Sequence, residues 1–175
     1  LDPQGREALR LPRVVVTASP RSVLGLGFEQ VYVERPQLDV RRAVDGRITV
    51  AGLDFSRGDP ADTGAQDWFF SQPEFVIRGG TLRWTDESRG APTLSLSTVD
   101  LVARNSARRH ALRLDATPPA EWGERFSLMG QFRQPLLTRR SGDWQAWDGQ
   151  LFADFSRVDL SELRRHADIG ADIRE

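Results

Sequence analysis

The chain has 175 residues, of which 39% are hydrophobic and 28% charged, a composition typical of a folded globular protein and unlike that of a disordered chain. Its 24 basic and 25 acidic residues give a net charge of -1, which argues against a nucleic-acid-binding protein, because a phosphate backbone demands a basic surplus. Cysteine is absent, which excludes disulfide bonds, thiolate metal sites and cysteine nucleophiles. Because the first residue is Leu1 and not methionine, we expect 1–175 to be a single segment of a longer protein.

Most of the chain alternates between apolar and polar residues with a period of two, which predicts β-strands with one apolar face. Val14–Val16 and Val31–Val33 are the first strand candidates. The apolar members of the later runs are sixteen residues, here called the alternating set: Leu38, Val40, Ile48, Val50, Phe75, Ile77, Leu82, Trp84, Leu94, Leu96, Val99, Leu101, Leu112, Leu114, Phe126 and Leu128.

Turn residues separate these runs. Asp45-Gly46 predicts a hairpin between two of them. Arg78-Gly79-Gly80-Thr81 predicts a second tight hairpin. Between Leu96 and Val99 the apolar positions change from even to odd numbers, which predicts a β-bulge near Ser97-Thr98.

Two short segments carry helix signals. Thr63 and Gln66 have the spacing of a capping box ahead of Trp68–Phe70, which predicts a helix near 63–71. A second capping box at 159–162 predicts a helix near 160–168. The predicted fold class is mainly β: a curved antiparallel sheet, β-groove or sandwich of about ten strands with two short helices.

The sequence predicts no catalytic residue, metal or cofactor. His110 and His166 are interpreted as ordinary surface residues, and the spacing of His166 from nearby carboxylates resembles no zinc motif. Asp86-Glu87 is a pair of carboxylates of the kind that glycosidases use, but it lies in a polar turn where two solvated acids are the ordinary interpretation. The chain is therefore predicted not to be an enzyme.

Five tryptophans are many for this length. Trp84 lies in the apolar alternation of its strand and is predicted to be a core residue. Trp144 and Trp147 follow a polar turn and leave open a carbohydrate-binding β-sandwich, in which tryptophan rings stack on sugars.

The balance of strands and helices leaves two architectures open. The sheet can fold over on itself into a sealed core, which periodicity alone favours, or it can curl into a trough with a partly open apolar face. Soluble proteins avoid an exposed apolar face unless something binds there. Acyl chains are the obvious occupant, because each buried CH₂ contributes about 0.8 kcal/mol.

Several segments resemble YhdP-type proteins of the AsmA-like superfamily. In 67–87 a short helix ending in a W-L-L-x-Q-like run precedes a strand and then a G-x-L-x-W-x-D hairpin, and 92–101 and 108–119 resemble the next two strands of that family. Trp147–Phe152, leading to Val158–Leu163, resembles its W-x-G-x-L unit. The resemblance covers most of 11–165.

The resemblance implies a non-enzymatic segment of a lipid-transport protein that spans the periplasm of a Gram-negative bacterium. Such proteins have an inner-membrane anchor, here outside the segment, and a β-groove that carries phospholipid towards the outer membrane and supports its barrier function. The expected partners are phospholipid and neighbouring β segments of the same full-length chain, with no nucleic acid. The alternating set would be the groove lining or the ordinary core.

The alternative function is that of a structural or assembly scaffold of the cell envelope. In that hypothesis the strand edges recruit partners or neighbouring segments in the cell envelope by β-augmentation.

Overall fold

The computed structural model describes residues 9–17, 29–54, 64–136 and 143–155. These residues form one sheet of eleven strands, which confirms the predicted mainly β fold. The strands are β1 (Leu9–Arg10), β2 (Arg13–Thr17), β3 (Gln30–Glu34), β4 (Gln37–Arg42), β5 (Ile48–Val50), β6 (Leu53–Asp54), β7 (Glu74–Asp86), β8 (Leu94–Asn105), β9 (Arg109–Thr117), β10 (Phe126–Arg133) and β11 (Asp148–Asp154). A helix α1 (Gly64–Ser71) precedes β7, and a 3₁₀ turn (Trp144–Ala146) precedes β11.

The first predicted helix is present as α1, although its capping residue Thr63 lies outside the described residues. The second, near 160–168, also lies outside them. The hairpin predicted at Asp45-Gly46 is confirmed: it joins β4 to β5, and Gly46 adopts a φ of 84° that favours glycine.

The C-terminal half of the sheet is an antiparallel meander in the order β7-β8-β9-β10-β11. On its other side β7 pairs in parallel with both β3 and β4. The β3–β7 and β4–β7 pairings share one register. Gln30 lies opposite Glu74 and Arg42 opposite Asp86, so the residue numbers of the partners differ by 44 in both pairings. The sheet is therefore mixed, where the sequence predicted antiparallel pairing.

A line of irregular backbone, here called the crease, crosses the sheet where β7 and β8 change register. Arg35, Gly79 and Thr98 have φ angles of 49°, 61° and 44°; Arg35 lies level with Gly79 in the constant register, and Thr98 precedes Val99, the partner of Gly80. The tight hairpin predicted at 78–81 is wrong, because β7 continues through this point as one strand. The β-bulge predicted near Ser97-Thr98 is confirmed by the register shift there.

A polar network holds the crease. The Asp100 carboxylate accepts a hydrogen bond from the Gly79 amide at 2.9 Å and one from the Arg125 guanidinium at 2.8 Å. Arg125 also donates to the carbonyl oxygen of Thr98 at 2.7 Å. The Asp100 carboxylate and the Arg125 guanidinium thus connect β7, β8 and the residue that precedes β10.

Replacing Asp100 with alanine is expected to lower the free energy of unfolding by about 2 kcal/mol, since hydrogen bonds to charged groups contribute about 1.5–3 kcal/mol. Asp100→Asn keeps an acceptor for the Gly79 amide and should lose about half as much. Urea denaturation measures both variants. Equal losses would show that the ion pair, and not the bond to the strand, stabilises the crease.

Candidate functional site

The structure places the whole alternating set on one side of the sheet, here called the apolar face. Cross-strand partners share a face, as in the row Val40, Trp84 and Leu94 and in the row Leu101, Leu114 and Leu128. The crease restores the facing where the parity changes, because Leu82 and Leu96 pack against the same cluster as Val99 and Phe126. The alternating set therefore shares one face of the sheet, and its role as groove lining or ordinary core stays a prediction.

The apolar face is only partly buried. Five of the sixteen residues are buried: Val40, Ile77, Leu94, Val99 and Phe126. The other eleven are half-buried: Leu38, Ile48, Val50, Phe75, Leu82, Trp84, Leu96, Leu101, Leu112, Leu114 and Leu128. The face is therefore neither a sealed core nor an open surface along its length.

The opposite side of the sheet, the polar face, is crossed by ion pairs between neighbouring strands. Arg83 donates two hydrogen bonds to Asp39 at 2.7 and 2.9 Å. Glu74 accepts from Arg104 and from Gln30, and these two bonds hold the pKa of its carboxyl below the usual value. The polar face also carries an apolar row of Tyr32, Val76 and Val102, in which Val76 is buried.

Aromatic side chains of α1 cover one end of the apolar face. The ring of Phe69 lies 4.9 Å from that of Phe75, and Trp68 meets Phe75 edge-on at 6.4 Å. The amide of Asn105 on β8 donates to the carbonyl oxygens of Gln72 and Phe69 at 2.8 and 3.4 Å, so the end of α1 is fixed to the sheet by hydrogen bonds as well as by packing.

Beside α1 lies an apolar cavity of about 260 Å³, here called the aromatic cavity. It is formed where α1, the β8–β9 hairpin, the end of β10 and the 3₁₀ turn meet. Its lining is Phe69, Phe70, Ala103, Asn105, His110, Ala111, Leu112, Phe132, Trp144 and Trp147. Five of these ten side chains are aromatic rings of Phe or Trp, so the walls favour a flat or hydrocarbon guest.

His110 lies in the wall of the aromatic cavity and is 5% exposed, so its interpretation as a surface residue is wrong. Its ring stacks on Trp147 with centroids 3.7 Å apart and planes within 6°. Burial lowers the pKa of His110, and the Gln134 side chain opposes that shift. Burial therefore favours the neutral form of the imidazole.

Two glycines shape the wall around Phe132. A Cβ at Gly130 would lie 2.4 Å from the ring of Phe132, and a Cβ at Gly149 would lie 2.4 Å from it and 2.5 Å from the Gln131 carbonyl oxygen. The ring of Phe132 thus occupies the space that side chains on β10 and β11 would take. Only glycine at these positions allows the ring to lie across the two strands.

An open depression of about 700 Å³ adjoins the aromatic cavity at the same end of the sheet, and both include His110 and Phe132. Arg109 and Arg133 lie directly opposite each other in its wall, and neither forms an ion pair with a described residue. Like charges placed opposite each other on neighbouring strands repel, and Asp148, which lies opposite Arg133 on β11 and lines the same depression, offsets part of that repulsion.

Asp86 and Glu87, the candidate acid pair, lie at the C-terminal end of β7, where both form ion pairs with arginines. Asp86 is 1% exposed and lies 3.6 Å from Arg42 and 3.5 Å from Arg89, while its other oxygen accepts two hydrogen bonds from Ser88. Glu87 pairs with Arg41 at 3.2 Å. The interpretation of both acids as solvated is wrong for Asp86, and neither carboxylate is free for acid–base chemistry.

The tryptophans proposed to hold a sugar are placed differently from each other. Trp144 is 45% exposed, but Trp147 has one face covered by His110 and an edge-on contact with Phe70 at 4.7 Å. The two rings line the aromatic cavity and do not form an open platform, which disfavours a carbohydrate site.

Several features could not have been found from periodicity. The aromatic cavity uses Phe69, Phe70 and Phe132, none of which belongs to the alternating set. The cluster Trp68–Phe70 was the one signal in the sequence that pointed to apolar mass outside the sheet.

Among the residues that the structure describes, no group of three or more His, Asp or Glu side chains could hold a metal ion. His166 lies outside them. Within the same part of the chain, every helix is too short or too polar to cross a membrane.

No protein-family model matches the chain, and no curated protein or solved structure matches it. The functional argument therefore depends on the two faces of the sheet, the aromatic cavity and the adjoining depression.

Proposed function

We propose that the chain is a non-enzymatic, lipid-carrying segment whose apolar face holds phospholipid acyl chains. The observation that carries the proposal is the continuous apolar face with eleven half-buried residues, set against a polar face crossed by ion pairs. A hydrocarbon chain lying along such a face is removed from water at about 0.8 kcal/mol per CH₂. The mechanism is passive, because apolar side chains replace the bilayer around the guest.

The end of the sheet has an apolar cavity suited to acyl chains and a basic depression suited to a phosphate group. The aromatic cavity is apolar, and the adjoining depression carries the guanidinium groups of Arg109 and Arg133, which form no ion pair with any residue that the structure describes. Guanidinium groups bind phosphate through paired hydrogen bonds. Because Arg109 and Arg133 lie on the polar face with Arg113, a phospholipid with acyl carbons on the apolar face would reach them across the end of the sheet.

The cellular setting is part of the same proposal. The resemblance to YhdP-type proteins supports a periplasmic segment of an inner-membrane-anchored protein in a Gram-negative bacterium, with phospholipid and adjoining β segments as its partners. All 24 basic residues are arginine, the side chain best suited to grip phosphate at the wet edge of such a segment.

Leu112→Arg tests the proposal. Leu112 is half-buried on the apolar face and lines the aromatic cavity, so a guanidinium there would lie against acyl carbons at a cost of several kcal/mol. Native mass spectrometry after incubation with phosphatidylethanolamine is expected to show at least a tenfold loss of lipid-bound protein.

Met129→Arg is the matched control. Met129 is 44% exposed on the polar face of β10, level with Arg113, so the same substitution should leave lipid binding within about twofold. Circular dichroism establishes that both variants remain folded. Absence of lipid from the unaltered protein, or equal losses in the two variants, would contradict lipid carriage by the apolar face.

A second candidate function, a scaffold that recruits β-strands, is favoured by two of the edge strands, β11 and β2. Leu151 and Phe152 of β11 are 61% and 56% exposed, and Val14–Val16 of β2 are also exposed. Within the described ranges neither strand has a partner on its outer side. Such edges accept an added strand. If Phe152→Lys abolishes concentration-dependent association in sedimentation velocity while lipid binding persists, the edge serves assembly.

A further inference from the structure

Exposed apolar side chains are concentrated at two edges of the sheet. Of the twelve large hydrophobic residues that are exposed in the described part of the chain, seven lie in 9–17 or on β11: Leu9, Leu11, Val14, Val15, Val16, Leu151 and Phe152. All five residues of β2 and all seven of β11 are exposed. Sheets commonly protect such edges with lysine or proline, and neither strand contains either residue.

The two edges carry opposite charge. β11 has a carboxylate at each end, Asp148 and Asp154, and no basic residue, whereas Arg13 is the one charged residue of β2. If two copies of β11 paired along their whole length, Asp148 of each would lie opposite Asp154 of the other, and like charges placed opposite each other are destabilising. A second β2 offers no carboxylate to Arg13. Each edge therefore favours the other edge over a copy of itself.

The strand directions allow this pairing without turning one copy over. β11 runs in the same direction as β7, since four antiparallel pairings separate them. β3 is parallel to β7, and β2 is antiparallel to β3. A second copy placed beside β11 in the same orientation therefore presents β2 as an antiparallel neighbour, with its apolar face on the same side of the sheet.

Side-chain chemistry selects one register. β2 has five residues and β11 seven, so three registers pair all of β2 with β11. One of them puts Val14 and Val16 on the polar side of the other copy. Another sets Phe152 opposite Arg13. The third pairs apolar with apolar and acid with base: Leu151 with Val16, Phe152 with Val15, Ala153 with Val14, and Asp154 with Arg13.

The third register also continues the rows of cross-strand partners without an offset. One row of the apolar face runs from β2 to β11 through Val16, Val31, Phe75, Ala103, Leu112, Gly130 and Leu151. In this register Leu151 lies opposite Val16 of the next copy, so the row continues. Arg13, whose side chain is 68% exposed and lies 3.3 Å from Glu34 of its own copy, gains a second carboxylate in Asp154.

We propose that the chain assembles head to tail, with β2 of one copy added antiparallel to β11 of the next in the register that pairs Arg13 with Asp154. The inference rests on the second candidate function, the recruitment of strands at the sheet edges, and names the recruited strand as β2 of a second copy. A contact between two different surfaces of one chain repeats from copy to copy, so the apolar faces join into one longer surface.

Single cysteines test the pairing, because the chain has no cysteine of its own. Val16→Cys and Leu151→Cys change exposed residues, and they are mixed in equal amounts in a glutathione redox buffer. Directly opposite residues on antiparallel strands have Cα atoms about 4.5–5.5 Å apart, within the range of a disulfide. Intact mass spectrometry is expected to show about tenfold more disulfide heterodimer than either homodimer, because paired strands hold the two thiols at a high effective concentration.

Val14→Cys is the matched control for Val16→Cys, since it lies on the same strand and face and is 45% exposed against 43%. In the proposed register Val14 lies diagonally from Leu151, with Cα atoms about 7–8 Å apart, beyond the usual range of a disulfide. Its heterodimer with Leu151→Cys should therefore be several times less abundant. Equal yields from the two pairs, or a larger yield from Val14→Cys, would overturn the proposal.

Two further outcomes separate a wrong partner from a failure of strand recruitment. An excess of Val16→Cys homodimer would show that β2 pairs with itself, which overturns the head-to-tail contact and leaves strand recruitment standing. Absence of the heterodimer from a protein that sedimentation velocity finds monomeric at every concentration would overturn both.

Discussion

Replacing Asp86 with alanine is expected to lower the free energy of unfolding by about 3 kcal/mol at pH 7. The carboxylate is buried at the ends of β4 and β7, where it accepts hydrogen bonds from Ser88 and faces Arg42 and Arg89. Breaking a buried charge cluster by removing one partner costs about 3–5 kcal/mol, and the partial exposure of both arginines places the effect at the low end.

Asp45→Ala is the control, since Asp45 also pairs with an arginine, Arg47, but in an exposed hairpin turn. Exposed ion pairs contribute little to stability, so this variant should lose far less stability than Asp86→Ala. Equal losses in the two variants, measured by urea denaturation, would show that burial of Asp86 adds nothing.

The effect of Asp86 is also expected to depend on pH. Burial raises the pKa of Asp86, but the Ser88 hydrogen bonds and the charges of Arg42 and Arg89 outweigh it and leave the pKa below the usual value. A carboxylate with a lowered folded-state pKa stabilises the fold above its unfolded pKa of about 3.9 and loses that contribution as the pH falls through the lower value. The difference between the unaltered protein and Asp86→Ala should therefore shrink below about pH 4.

Phe126→Ala is expected to lower the free energy of unfolding by about 3–4 kcal/mol. Phe126 is 6% exposed in a cluster with Val99 and Ala116, and its ring lies 5.2 Å from that of Phe155. Removing a buried phenyl ring loses its transfer free energy and leaves a cavity, which together cost about 3–5 kcal/mol. Guanidinium denaturation measures the loss.

Phe152→Ala on β11 is the matched control, because that ring is 56% exposed. It should change the free energy of unfolding by less than about 0.5 kcal/mol. A loss below about 1 kcal/mol at Phe126 would mean that this part of the apolar face collapses or is filled by another group.

The members of the apolar face could be predicted from the sequence because side-chain direction along a strand depends on local parity alone. Even the β-bulge could be found, since one extra residue such as Thr98 is visible as a change of parity. At Gly79-Gly80 the sequence pattern predicted a hairpin, and the structure has one continuous strand. A glycine with positive φ suits a hairpin and a crease equally, and the parallel strands β3 and β4 beside β7 decide between them.

The parallel pairing itself lies beyond local pattern. The offset of 44 residues between β3–β4 and β7 is a tertiary property, and nothing in the composition of either segment specifies it. The aromatic cavity is hidden for a similar reason. Its lining comes from α1, β8, β9, β10 and the segment before β11, so His110 and Trp147 become neighbours only after the sheet has formed.

The most direct test of lipid carriage is to map where an acyl chain lies. Phosphatidylethanolamine with a photoreactive diazirine in one acyl chain would be incubated with the protein, irradiated, and the adducts located by peptide mass spectrometry. Adducts are expected on half-buried apolar-face residues of β8 and β9, such as Leu101, Leu112 and Leu114. Adducts confined to the polar face, or spread evenly over both faces, would contradict the account.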